Sequence, residues 1–266
     1  MHLLRALRWR VSGPPAPTTF LVSYPKSGRT WLRVLIGRYL SSRYRLPERR
    51  ILQTEWLTHH AGLPVAAFSH DGSAMKDRRH CRDMDYRRSD YADRKVLLLT
   101  RNFKDTLVSS YFHQTQRDKN FTGELSEYVR SEYYGLPKLL AFYRAWERDH
   151  GMPVEFRVVR YEDLHRDPVA TLADVLRFLG EKNPSMRVVE ESVRYGSFDN
   201  LRVAEEENRF NDGILSTREG KHPDSYKVRR GKVGGWVDDL SPDDAAYVDA
   251  MVNESGLRVV RPAVDA

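Results

Sequence analysis

Lys26 and Arg29 stand three positions apart in the run Tyr24-Pro25-Lys26-Ser27-Gly28-Arg29-Thr30-Trp31, with the hydroxyls of Ser27 and Thr30 between and beside them. Two cations, two hydroxyls and a glycine at one turn make an anion site, because phosphate and sulfate oxygens accept charge-assisted hydrogen bonds from all of these donors. The residues before the turn, Phe20, Leu21, Val22 and Tyr24, read as a short buried strand. From Thr30 onward apolar residues recur at helical spacing, Trp31, Leu35 and Tyr39 on one row with Leu32, Val34 and Ile36 beside it. A strand, a glycine turn and a helix start aim unpaired backbone N–H groups at one point. The same residues also suit an ordinary strand-turn-helix connection. They do not form a Walker A loop, since Ser23 and Arg29 occupy the places of its first glycine and its lysine.

Two more clusters of the same chemistry follow. Arg101 and Ser109 lie eight apart, Arg101 just after the apolar run 95–100 and Ser109 on the helix expected through Leu107, Val108, Tyr111 and Phe112. Asp105 serves there as a cap or first-turn acid. Arg229, Arg230 and Gly231 open the late stretch 228–236, Val-Arg-Arg-Gly-Lys-Val-Gly-Gly-Trp. In open parallel sheets ligands gather at the carboxyl ends of the strands, so the loops around Lys26 and Arg101 can face one pocket.

The elements that must position these residues alternate along the chain. Strands are expected near 20–24, 65–68, 95–100 and 154–159, the last leading into Arg160-Tyr161. Helical spacing covers 125–150 with a break at Gly135-Leu136-Pro137, then 168–179 from Pro168 to a stop at Gly180, then about 186–195. Residues 197–235 are polar and weakly periodic, which suits a functional lid or a disordered loop. Ser241 caps a last helix over 241–252. Alternating strands and helices make an α/β protein with a central, mainly parallel sheet.

At 266 residues, with no linker-like stretch in its middle, the chain reads as one domain over 18–266. Residues 1–17 read as a flexible basic tail set apart by Pro14, Pro15 and Pro17, with weak peripheral membrane contact open to it. No apolar run is long enough for a membrane span. The net charge of +7 suits nucleotides, nucleic acid or a membrane surface without choosing among them. Cys81 is the only cysteine, which excludes an intrachain disulfide and a cysteine-rich metal site and is compatible with a reducing compartment. The adjacent His59 and His60 read as a surface pair, and the charge-rich run 75–95 as a solvated face.

Taken in order, the three basic clusters resemble those of the sulfotransferases that use 3′-phosphoadenosine-5′-phosphosulfate (PAPS), of the cytosolic type and similar to bacterial members, across residues 18–252. The resemblance implies a P-loop-NTPase-like three-layer α/β/α fold and a soluble, cytoplasmic enzyme. Its co-substrate would be PAPS, its product adenosine-3′,5′-bisphosphate (PAP), and it would use no metal. It implies that Lys26 meets the bridging oxygen of the leaving group, with Ser27, Gly28, Arg29 and Thr30 donating around it. Arg101 and Ser109 would hold the 3′-phosphate together with Arg229, Arg230 and Gly231, and Ser109 would count with Lys26 and His70 among the catalytic residues. Trp31, Tyr161 and Phe198 would frame the adenine. The acceptor would be a hydroxyl, or less often an amine, on a small molecule, lipid or sugar, with no nucleic acid expected. His70 ends an apolar strand where the family carries its catalytic histidine, and it is the candidate base. Asp71 is the alternative base or the group that orients His70. Arg29 departs from the family's usual threonine. Two other functions remain open: a P-loop kinase or NTPase, and a non-enzymatic polyanion-binding domain.

Overall fold

A computed structural model describes residues 15–75, 78–84, 88–211, 213–216 and 223–262. The proposed N-terminal tail falls, up to residue 14, outside them. Four strands form one sheet: β1 (Thr19–Ser23), β2 (Ala66–Ser69), β3 (Lys95–Thr100) and β4 (Glu155–Arg160). Their order is β2-β1-β3-β4 and every pairing is parallel. The register aligns Thr19 with both Ala66 and Lys95, and Lys95 with Glu155, so all four strands end on the same side of the sheet. Each then delivers a residue singled out above within a few positions: Lys26 after β1, His70 after β2, Arg101 after β3 and Tyr161 after β4.

Helices cover both faces. On one, Val22, Val96 and Leu98 pack against α3 (Phe103–Phe112), α5 (Leu136–Asp149) and α10 (Pro242–Asn253), with Trp146 at 0% exposure in the middle. On the other, Leu21, Leu97, Leu99 and Val159 pack against α1 (Arg29–Tyr44), α7 (Pro168–Phe178) and α8 (Met186–Tyr195). The side-chain period of two sends neighbouring residues of β1 and β3 into opposite cores, which is why both strands read as continuous apolar runs. Each fully buried leucine contributes about 2 kcal/mol. The remaining helices are α2 (Thr54–Ala61), α4 (Leu125–Arg130), α6 (Tyr161–Arg166) and α9 (Phe198–Glu206).

Three expectations change. The stretch 197–235 opens with a helix, α9, capped by Ser197, whose hydroxyl accepts the Asn200 N–H at 3.4 Å. Leu201 and Ala204 pack it onto Val34, Ile51 and Leu52 in a third, smaller core. The charge-rich run 75–95 is not all solvated: Arg88 is 3% exposed, pairs with Asp71, and lies 4.0 Å from the Trp146 ring. Of the two adjacent histidines, His60 is buried, stacked on Trp56 with Nδ1 2.7 Å from the Trp56 carbonyl.

Candidate active site

One cavity of about 520 Å³ opens at the carboxyl ends of the strands. It is lined by Lys26, Gly28, Arg29, Thr30 and Trp31 from the first turn, His70 after β2, Arg101 and Ser109 from β3 and α3, and Tyr161 after β4. Phe198 and the late run Lys227–Lys232 close it from the other side. Residues scattered over two hundred positions therefore meet in one space. Ser27 and Asp71, among the residues singled out, do not line it. For Ser27 the reason is burial. Its side chain is fully buried and absent from the wall, which leaves only its backbone N–H to serve an anion.

The first turn is built for an anion. Lys26 and Gly28 have φ of 70° and 93°. Left-handed residues alternating with right-handed ones curl a backbone so that its N–H groups converge, and a lysine held in this region is a strained backbone position. Gly28 is also required for space, because a Cβ there would strike the Tyr161 ring. Gly28 is the N-cap of α1 and supplies no side chain to the first helical N–H groups, so these donors are left for a ligand. Burial, with Lys227 and Arg117 close by, lowers the Lys26 ammonium to about 7. An anion in the turn would restore its charge.

Arg101 is held from two sides, donating to the Lys26 carbonyl at 3.1 Å and to the Lys232 carbonyl at 3.3 Å while lying 4.4 Å from the Tyr161 ring. Asp105 is the first-turn acid of α3 and Asn102 its cap, accepting the Asp105 N–H at 3.2 Å. The Asp105 carboxylate instead accepts the backbone N–H groups of Gly234 and Trp236 at 2.8 and 3.0 Å, which pins the late glycine-rich run to α3. Gly231, at φ 59°, packs against Phe198 so closely that a Cβ would press into the ring. Arg229 pairs with Asp224 and Asp239, and Arg230 with Asp238 and Asp239. Trp31 donates its indole N–H to the Gly196 carbonyl at 2.9 Å and meets the Tyr161 ring edge-on at 5.7 Å.

His70 Nδ1 lies 2.9 Å from the Ser23 carbonyl. A carbonyl only accepts, so Nδ1 carries the proton and Nε2 keeps its lone pair. Burial, then the charge of Arg29, lowers the imidazole to about 3, so it is neutral at physiological pH. Asp71 is engaged away from the cavity wall: its carboxylate pairs with buried Arg88 and accepts the Tyr91 hydroxyl at 3.1 Å.

The sulfotransferase domain family model matches residues 16–255. The chain belongs to that family, and it is a sulfotransferase. Cytosolic sulfotransferase 16 of Arabidopsis thaliana is 26% identical over 267 residues, covering 90% of this chain and 76% of that protein. Flavonol 3-sulfotransferase of Flaveria bidentis is 24% identical over 265 residues, covering 88% and 80%. Among solved structures, retinol dehydratase with androsterone and inactive cofactor PAP superposes with a TM-score of 0.60 at 18% identity, over 97% of this chain and 87% of that one. Mouse sulfotransferase SULT7A1 complexed with PAP gives 0.59 at 21%, over 90% and 84%. These structural likenesses establish the shared P-loop-like α/β fold.

The sulfotransferase site also contains residues outside the three basic clusters. A π-helical turn, His113–Arg117, continues α3, sets His113 on the cavity wall and buries Arg117. Arg117 pairs at 3.0 Å with Glu205 of α9, both buried. Glu205 also accepts the backbone N–H groups of Lys227 and Val228 at 2.7 and 2.9 Å. The partners lie 88 and more than 20 residues apart in sequence, so spacing could not reveal them. Lys227 had one signal, its place two residues before Arg229. His165 also lines the cavity; it lies one helical turn after Tyr161, its Nε2 2.9 Å from that hydroxyl, and its ring 4.7 Å from Trp31. His80, Cys81 and Glu132 bring potential metal-ligand atoms together among the described residues, but they lie outside the cavity. No helix among the described residues is long and apolar enough to cross a membrane.

Proposed function

We propose that this PAPS-dependent sulfotransferase passes the sulfuryl group directly to a hydroxyl of a small-molecule acceptor, by in-line displacement with no covalent enzyme intermediate. The observation that carries the reading is the meeting of Lys26, the uncapped start of α1, Arg101, Ser109 and the 229–231 run around one cavity. The residues suit the nucleotide on their own chemistry. Arg101 and Ser109, with Arg229, Arg230 and Gly231, offer donors to a 3′-phosphate at one end. Trp31, Tyr161 and Phe198 offer flat apolar faces to a purine in the middle. The Lys26 turn, with Gly28 and Thr30, offers donors to the phosphosulfate at the other end.

In the step itself, the acceptor oxygen forms a bond to sulfur as the bond from sulfur to the bridging oxygen breaks. Nε2 of His70 takes the proton from the acceptor hydroxyl, and Lys26 stabilises the negative charge that gathers on the departing phosphate. Positioning and charge placement supply the acceleration, as in phosphoryl transfer. Anions bound in the cavity offset the cations that depress His70 in the free protein, which returns the imidazole toward a useful basicity. No residue of the reaction calls for a metal. The cytosolic names of relatives and the lone cysteine support residence in the cytoplasm.

Lys26→Ala tests the reading. Turnover with labelled PAPS should fall by about a hundredfold or more, with the circular dichroism spectrum unchanged. A folded Lys26→Ala protein that transfers at the parent rate overturns the mechanism.

A further inference from the structure

Two ends of the cavity differ in how their cations are matched. Around the 3′-phosphate end, Arg229, Arg230 and Lys232 all have carboxylate partners, and Asp105 lies 3.9 Å from Arg101. At the opposite end Arg29 lines the wall, and among the described residues it has no carboxylate partner and no side-chain hydrogen bond. Lys227 lies near it and donates to the Ile214 carbonyl at 2.5 Å. The acid of that neighbourhood, Glu205, is already taken by Arg117 and two backbone N–H groups. A partly buried guanidinium facing other cations is costly unless an anion comes to it.

The sheet order says which substrate that anion belongs to. Arg101 and Tyr161 follow β3 and β4, and Trp31 turns toward Tyr161 and His165, so the purine-binding surfaces lie on the β3–β4 side. Arg29 and Arg33, one helical turn apart, run the other way: Arg33 lies 4.5 Å from the ring of Phe68 in β2, the strand that leads to His70. Arg29 is thus at the base's end of the cavity. Consistent with this, its charge is the largest influence on His70 after burial. Lys26 and the backbone of the turn already serve the donor's phosphate and sulfate, which leaves Arg29 and Lys227 in excess of what those groups need.

We propose that the acceptor carries an oxyanion of its own, a carboxylate, phosphate or sulfate beside the hydroxyl that is sulfated, and that Arg29 grips it, with Lys227 adding charge. The enzyme is then selective for anionic acceptors, and Arg29 is a specificity-determining residue. The proposal rests on the sulfotransferase reading and is tested apart from it.

Calorimetry with PAP comes first, since absence of PAP binding overturns the reading and not the selectivity. Acceptors are then compared in matched pairs, para-hydroxyphenylacetate against para-hydroxyphenylacetamide and α-glycerophosphate against glycerol, with labelled PAPS. The anionic member should be favoured in kcat/KM by roughly tenfold or more, as charged hydrogen bonds imply. Arg29→Thr should erase that ratio and Arg29→Lys should restore part of it. An unchanged ratio in Arg29→Thr, with both members slowed alike, means Arg29 serves the donor and overturns the proposal. So does preference for the neutral member, or a PAP-binding enzyme that converts no anionic member.

Discussion

Lys26 and Lys227 hold their protons weakly because they are buried beside other cations, and their ammonium groups are lowered to about 7 and about 8. At about pH 8 a good part of both is therefore neutral in the free protein. An anion raises both, so PAP binding should take up protons from solution. Calorimetry in two buffers of different ionisation enthalpy checks this: the apparent heat should change with the buffer, and Lys26→Met should shrink the dependence. Heats independent of buffer would mean that both lysines are already charged. The sequence announced Lys26, because the turn is local and its chemistry is compact. It did not announce that Asp71 is spent on Arg88, since that pairing depends on burial that a charge-rich run conceals.

The element that holds the late loop in place is α9. Through Glu205 it ties Arg117 of the π-helical turn to the backbone at 227–228, and so to Arg229, Arg230 and Gly231. Removing one partner of a buried pair leaves an unmatched ion and costs about 3–5 kcal/mol. Glu205→Gln should lower the melting temperature and weaken PAP binding by at least about tenfold, read by thermal denaturation and calorimetry. Adding Arg117→Met should recover part of the stability without recovering the affinity, because the loop stays unlatched. If Glu205→Gln alone binds PAP normally, the latch has no part in nucleotide binding. The strands and most helices were legible because apolar periodicity records burial. α9 was not: it buries little beyond Leu201 and Ala204, and its capping Ser197 was the one local sign.

Across the whole molecule, the buried histidines tie stability to acidity. His70 and His113 are lowered by burial to about 3 and about 4, Arg29 adding to the first and Lys26 to the second. The unfolded chain binds protons on both rings as pH falls below about 6.5, while the folded chain resists until 3–4. The unfolded state thus holds more protons in that window, so the stability is present above pH 6.5 and is lost as pH falls. Melting temperature should drop by roughly 5 °C or more between about pH 6.5 and 4.5, and the double variant His70→Gln/His113→Asn should show a shallower drop. An equal slope in the double variant would assign the acid sensitivity to carboxylates instead.

The sheet that organises all of this has β1 and β3 in its interior and the four-residue β2 at its margin. Lys26 and Arg101 therefore hang from strands paired on both sides, whereas His70 hangs from one that, among the described residues, pairs with β1 alone. A family built on this plan can redraft its outer rim, strand β2 with the flanking α2 and the segment that follows, while the interior ladder that carries Lys26 and Arg101 stays intact. Diversity of acceptors over a constant donor is then an inheritance of strand order, available to any descendant before a single interior side chain changes.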